Sequence, residues 1–323
     1  MTNNNTPKLA AVYHFDLYGK REDKYDFLQS NSLQSIEWTL LQPVERYYFF
    51  VPKDFDVQKE YDKGFKIDEL FPVNSAGIVT ARDTFTIHFT KEEVVKTVNE
   101  FLQLDDEAAR KRFDLGKDVR DWSVEGARND LQKLDLSNVQ TIIYRPFEER
   151  FTYYTGVTKG FHCMPRSETM RHLFKKENVA LICPKQVPEK EEAGVFITKY
   201  VAGHKTSSAY NINNIFPLYL YPDNDGQQNI TEKTERVSNL NKEIVAQIEK
   251  GLGETFEPID LLDYIYAVLH SPSYREQYKE FLKIDFPRVP YPDNAEVFWK
   301  LVALGGRLSA KRTHSICVQQ PSG

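Results

Sequence analysis

The chain has 323 residues, 41% hydrophobic and 28% charged, a balance that excludes wholesale disorder and is enough for a core without metals or disulfide staples. Its net charge of −5 argues against a histone-like binder held to nucleic acid by charge alone. Cys163, Cys183 and Cys317 are too scattered for a disulfide framework or a zinc site. No apolar run reaches the ~18 residues of a membrane span, so no membrane partner is expected and a reducing cytoplasm is the expected compartment.

The chain opens with a polar stretch, Met1 to Pro7, without a secretory pattern. Lys8 to Tyr18 then reads as a strand, and the run Leu9-Ala-Ala-Val-Tyr13 predicts burial on both faces. A strand at the very start needs a partner elsewhere, so the sequence reads as a fragment of a longer protein. Tyr25, Leu28, Leu33 and Ile36 fit a short helix and loop, and Arg46 to Pro52 a strand closed by proline. Tyr61 to Phe71 reads as a helix, and residues 76–80 and 84–89 as two strands around Ala81-Arg82-Asp83. Thr90-Lys-Glu-Glu93 is a capping box that opens a helix to about Leu104. Further helices are expected from Asp105/Asp106 to near Gly116 and from Asp121 to Leu134.

Strand signals dominate 139–221: residues 139–144, 151–154, 179–183, 194–198 and 215–221, with a helix over 166–176. Residues 223–231 read as a linker. Helices follow at 241–251, 258–270, 271–282 and 295–304, the last closed by Gly305-Gly306. The fold class is α+β, a mixed-sheet body with a C-terminal helical subdomain. The expected divisions are 1–40 as a leading segment, 41–235 as the body, 236–306 as the helical part and 307–323 as a tail.

Motifs for chemistry are missing from the sequence. Gly251-Leu-Gly253 follows a helix and reads as a helix end, not a phosphate loop. There is no P-loop, no Gly-x-Ser-x-Gly, and no Asn-Pro-Pro-Tyr or Asp-Pro-Pro-Tyr. His162-Cys163 with Cys183 lacks the paired spacing of zinc ligands, so the thiols read as buried and structural. Glu148-Glu149 point to opposite faces of a strand, and Glu189 to Glu192 reads as a solvated run. No catalytic or metal-binding residue is expected, and this chain alone is not expected to be an enzyme.

Charge is segregated, however. Residues 141–210 hold eleven Lys/Arg against seven Asp/Glu, a local +4 in a chain of net −5. Three stretches there, 144–154, 158–166 and 199–213, interleave cations and aromatics with small hydroxyl and amide residues. That mixture suits duplex DNA: Arg and Lys reach phosphates and guanine edges, Asn reads adenine, and Ser and Thr add phosphate contacts. The competing reading is structural, with Arg145 and Arg150 pinning strands through carboxylates and Tyr153 and Tyr154 in the core. On residue types alone the two readings stand level.

Several segments together resemble one family: residues 76–83, 115–122, Tyr144-Arg-Pro-Phe-Glu-Glu-Arg150, Val179-Ala-Leu-Ile-Cys-Pro-Lys-Gln186, 214–221, 258–270 and Phe298-Trp-Lys-Leu-Val302. They are similar to the C-terminal specificity region of Type ISP restriction-modification enzymes, and the resemblance covers about residues 10 to 306. Tyr-Arg-Pro-Phe alone also occurs in other restriction-associated adenine methylases. Type ISP enzymes join nuclease, helicase-like translocase, adenine-N6 methyltransferase and target-recognition domains in one bacterial chain. The resemblance implies a target-recognition domain that docks duplex DNA against a methyltransferase domain of the parent polypeptide, with a target adenine turned out for methylation. The motifs of the other domains are absent here, so no cofactor is expected in this chain; S-adenosylmethionine, ATP and Mg belong to the missing domains. Residues 13–19 look like the exit from the methyltransferase, and the sequence after Gly306 departs from the family's ending.

The DNA-contacting residues expected on this basis are Arg82, Arg150, Tyr153, Lys159, Arg166, Lys199, His204, Lys205, Thr206, Ser207, Ser208, Asn211 and Asn213. The 199–213 loop is expected to read bases more than Arg145 does, because its polar residues exceed the needs of a turn around Gly203. The alternative is a non-enzymatic structural or protein-interaction scaffold whose basic and aromatic stretches stabilise the core.

Overall fold

The computed structural model describes residues 10–45, 48–187, 194–222 and 236–314. The chain divides into two units, 1–58 and 59–323. In the first, β1 (Val12–His14) pairs antiparallel with β2 (Thr39–Leu41), and α1 (Arg21–Ser30) lies between them in sequence. Phe15 stacks on Phe27 at 5.6 Å and meets the edge of Trp38 at 6.2 Å. The two-face burial expected for the opening strand is not found: Tyr13 is 57% exposed. Residues 48–52 form no strand, and the start of that expected strand at Arg46 lies outside the described residues. So do Met1–Pro7, the Glu189–Glu192 run, the expected linker at 223–231 and the end of the tail.

The second unit begins within α2 (Asp56–Tyr61), followed by β3 (Phe65–Lys66), α3 (Ile67–Leu70), β4 (Ser75–Ala76) and α4 (Asp83–Thr86). The helix expected over 61–71 is interrupted because Gly64 sits against the backbone of Val289, where a Cβ would lie 2.7 Å from the carbonyl oxygen. The strand expected over 84–89 is a single helical turn instead. The Arg82 carbonyl accepts from the amides of Phe85 and Thr86, both at 3.0 Å, which drives Phe85 into the core.

Next come α5 (Lys91–Gln103), α6 (Asp106–Phe113) and α7 (Val124–Leu131). The capping box is present: Glu93 N donates to Thr90 Oγ1 at 3.2 Å, and Thr90 N to Glu93 Oε2 at 3.0 Å. Asp105 and Ser123 cap the other two through Ala108 N and Gly126 N. Their apolar faces, with Phe101, Leu115, Trp122 and Leu131, close over Phe85, Tyr153 and Phe161.

The sheets are built from β5 (Val139–Arg145), β6 (Glu148–Tyr153), β7 (Ala180–Pro184), β8 (Phe196–Thr198), β9 (Val201–Ala202) and β10 (Asn213–Pro217), with α8 (Ser167–Met170) preceding β7. β6-β5-β9 is mixed, since β5 runs antiparallel to β6 and parallel to β9. β4-β10-β7-β8 is antiparallel. Ile78, Ile142, Tyr154, Ile182, Val201 and Ile215 share one core between the two sheets. Pro217 ends β10, and β11 (Tyr219–Leu220) pairs separately with β12 (Val237–Ser238).

The helical part, α9 (Lys242–Leu252), α10 (Pro258–His270), α11 (Pro272–Leu282) and α12 (Ala295–His314), lies in the same unit as the sheets, and β13 (Arg288–Val289) pairs with β3. Gly253, at φ 76°, ends α9 as a left-handed cap. Gly305-Gly306 does not end α12; both glycines lie inside it. Each interior glycine costs a helix about 1 kcal/mol relative to alanine. Here the loss is offset by close packing on α10, because a Cβ at residue 305 would lie 1.9 Å from the Asp263 carbonyl oxygen. No helix among the described residues is long and apolar enough to cross a membrane.

One buried histidine ties this core to pH. Thr152 Oγ1 donates its single proton to Thr86 O at 2.7 Å, so His162 Nε2–H must be the donor across the 2.8 Å contact with that hydroxyl. Nδ1 is buried without a hydrogen-bond partner, and burial pushes the ring down from 6.5 to about 3. The unfolded chain therefore binds this proton well above the pH at which the folded chain does. Stability from the neutral ring is complete above pH 6.5 and falls with pH towards 3, at up to about 1.4 kcal/mol per unit. Urea unfolding at pH 7, 5.5 and 4.5 should show this loss, and His162→Gln, which keeps an N–H donor, should lessen the slope, leaving the share of His172, which burial pushes down to about 4. An equal slope in the variant would refute the assignment.

Candidate nucleic-acid interface

Leaving β4, the chain runs between two neighbours. Ile78 N donates to Ala202 O at 2.8 Å and His204 N to Ile78 O at 3.0 Å on one side; Val79 and Met164 exchange bonds of 2.9 and 3.0 Å on the other. Gly77 permits the approach, since a Cβ there would lie 2.2 Å from Gly203 O. The segment 80–83 thus becomes the junction of the 144–148 hairpin turn, the 158–166 turn and the 203–213 loop. Four of the seven described non-glycine residues with left-handed backbone lie here: Ala81 (φ 61°), Phe147 (60°), Lys159 (61°) and Arg166 (56°). Such conformations cost energy and cluster at working sites.

Asp83 organises the centre. Its carboxylate accepts from Thr80 Oγ1 and, at 2.7 Å, from Tyr144 OH, and Arg145 stands 3.8 Å away. Arg145 lies 3.9 Å above the Tyr144 ring and donates to Tyr144 O and OH at 2.9 and 3.1 Å. Arg150 is spread over Phe89 at 3.3 Å and donates through Nε to Glu148 at 2.7 Å. Burial holds His204 below its ordinary range against the hydrogen bond to Ile78 O, and Lys205 and Arg145 push the same way. The Asp83 carboxylate works against them. Lys199 is exposed at the end of β8, near Glu149, whose carboxyl burial pushes up.

The 158–166 turn is fixed from beneath. Asp130 accepts from Phe161 N and Thr155 Oγ1, both at 2.8 Å, while Gly126 and Gly160 leave room for the turn's backbone and for the Asp130 carboxylate. Lys159 remains exposed on top, donating to Arg120 O at 2.9 Å. Arg166 is half-buried, with Nε lacking a hydrogen-bond partner.

Five expected contacts belong to the interior, and one more points inward. Tyr153 is fully buried and its hydroxyl accepts from Asp135 N, so it is core. Thr206 donates to Ile143 O and Gly203 O; Asn213 accepts from Ser207 N and donates to Gly203 O; Ser208 Oγ accepts from Tyr210 N and Asn211 N. These buried side chains satisfy the loop's own backbone groups, which is why its polarity exceeds ordinary turn needs. The surface of that loop is Lys205 and Asn211, half-buried, with Tyr210 (81% exposed) and Ile212 (53%). Arg82 turns inward over Trp122 at 3.8 Å and donates to Leu115 O and Lys117 O.

Of the remaining set, Lys159, Arg166, His204, Lys205 and Asn211 lie on the converging loops, Arg150 lies in β6 and Lys199 follows β8. Sequence reasoning left out Arg145 because a proline follows it. It also left out the 115–121 loop, which Arg82 and Arg110 pin by its carbonyls so that Lys117 and Arg120 stay exposed. The signal available was Leu115-Gly-Lys-Asp-Val-Arg, which carries two cations around a glycine at φ 64°.

A family model described as the Type ISP C-terminal specificity domain matches residues 69–315. No curated protein matches the chain. Among solved structures, the cryo-EM structure of the DrdV–DNA complex aligns at a TM-score of 0.70 and 20% identity, covering 96% of this chain and 31% of that one. A nuclease-deletion mutant of the Type ISP restriction-modification enzyme LlaGI, in complex with a DNA substrate mimic, aligns at 0.63 and 21%, covering 94% and 28%. The ATP-dependent Type ISP restriction-modification enzyme LlaBIII bound to DNA aligns at 0.63 and 18%, covering 85% and 18%. The chain thus spans less than a third of each of these three proteins, and the likeness establishes a shared fold.

Proposed function

Because the chain belongs to the Type ISP C-terminal specificity domain family, we propose that it reads a double-stranded DNA sequence for a bacterial, cytoplasmic restriction-modification enzyme. The observation that carries this reading is that Arg145 and Arg150, set against Asp83 and Glu148, and Lys205 stand on the segments that meet at the 80–83 junction, within a 141–210 stretch of +4 in a chain whose net charge is −5. A polyanion is the partner that such local charge selects. The DNA complexes of DrdV, LlaGI and LlaBIII, which share the fold, support the same partner. Cations spread on aromatic rings are held in fixed orientations, as phosphate positioning needs, and Lys205 is available for base edges, with Asn211 on the same loop, its Nδ2 donating to Gln186 O at 3.3 Å. In the neutral ring His204 Nδ1–H donates to Ile78 O, which leaves Nε2 an acceptor. The module docks its site against a methyltransferase domain that turns out an adenine. S-adenosylmethionine, ATP and Mg serve those other domains, and this chain's contribution is sequence choice.

The test is selection from random duplexes. The 323-residue chain, cycled through a randomised duplex pool, should enrich one short sequence. A pool that stays at its input composition would contradict the reading.

A further inference from the structure

Phe147 occupies the tip of the β5–β6 hairpin, after Pro146, in a turn where the strand register shifts between Ile143 and Arg145. Its backbone is left-handed, at φ 60°, a conformation that glycine or asparagine adopts with least strain and a bulky residue resists. The ring is nevertheless aromatic and 57% exposed. An aromatic here works against the turn, and so little of it is buried that folding gains little in return. The ring is also braced. It meets Phe196 edge to face, with centroids 5.1 Å apart and planes at 83°. Phe196 is itself backed by Gly194, where a Cβ would lie 2.4 Å from the ring. At the root of the same hairpin stand Arg145 on Tyr144 and Arg150 on Phe89, with Lys199 at the end of β8.

Resting on the reading above, we propose that Phe147 is a wedge: when the loops dock on duplex DNA, its ring enters between two base pairs and unstacks them. Apolar side chains used this way partly open a base step and kink the helix, and flanking cations hold the phosphates on either side. The flanking Arg145, Arg150 and Lys199, the arginines held against Asp83 and Glu148, favour DNA over a protein as occupant, because cations beside an apolar tip complement a polyanion whose base faces are apolar.

The experiment uses the 323-residue chain and two randomised pools of short duplexes, one fully paired and one with a central T·T mismatch and an adjacent 2-aminopurine. A step already weakened by the mismatch costs less to open, so the protein should bind the mismatched pool about tenfold more tightly. Binding should also raise the 2-aminopurine fluorescence. Phe147→Gly, which suits the left-handed backbone and so keeps the turn, should bind both pools equally without the fluorescence rise; Phe147→Trp should retain both effects. If Phe147→Gly keeps the preference and the fluorescence, or if the unaltered protein binds both pools equally, the wedge is overturned while duplex binding stands. That is also the result expected if the ring serves a protein contact. If the unaltered protein binds neither pool, the DNA reading falls, and the wedge with it.

Discussion

Gly77→Ala is expected to destabilise the protein by about 3 kcal/mol and to abolish DNA binding at temperatures where the variant still folds. The added methyl would lie 2.2 Å from Gly203 O, 2.3 Å from Gly203 C and 2.6 Å from His204 N. All three are backbone atoms, so no rotamer change relieves the contact. The strand-like crossing of Ile78 with Ala202 and His204 must open, and the 203–213 loop moves with it. Urea denaturation gives the stability, and hydrogen exchange at the Ile78 and His204 amides locates the damage. Gly251→Ala is the control: nothing lies within 4 Å of its added methyl, and its place inside α9 favours alanine by up to about 1 kcal/mol. Two glycine variants of equal stability would show that the junction at 80–83 is not built as described.

The second large effect concerns affinity. Arg145→Gln with Lys205→Gln removes two charges that act together on His204 while keeping polar side chains. Each charge-assisted phosphate contact is worth about 1.5–3 kcal/mol, so the pair should weaken duplex binding by about a hundredfold or more at low salt. The salt slope should fall by about two. His204 should titrate higher in this variant, because both neighbouring cations hold it down. Unfolding would raise it too, by ending its burial, so urea denaturation of the variant must show that the fold is kept. Undiminished affinity in a folded double variant would move the binding surface elsewhere, with the 115–121 loop next in order.

How much of this was legible depends on whether a residue's role is local. The Thr90–Glu93 box, the Asp105 start of α6, the glycine end of α9 and the whole of α10 follow from neighbours within one helical turn, and the sequence predicts them; α7 opens at Val124, capped by Ser123, three residues after the expected start at Asp121. Residues 84–86 alternate like a strand but form a helical turn, because Arg82 and Asp83 carbonyls capture the next amides. Gly305-Gly306 carries a helix-end signal but lies inside α12, because its partner is α10, about forty residues earlier. At the candidate interface, composition pointed to loops that the fold brings together but not to the direction of each side chain. Thr206, Ser207, Ser208 and Asn213 are polar for the sake of buried backbone groups, and Arg82 for the sake of distant carbonyls. Those partners are set by the crossing of three loops, which no spacing rule encodes.

The most direct test of the central claim is a titration of the 323-residue chain with its selected duplex at ~50 and ~200 mM salt. If the converging loops contact about four phosphates, log affinity falls with log salt at a slope near −3.6, and the fourfold rise in salt weakens binding by about 150-fold. Binding that ignores salt, or no binding at the lower concentration, would contradict the account.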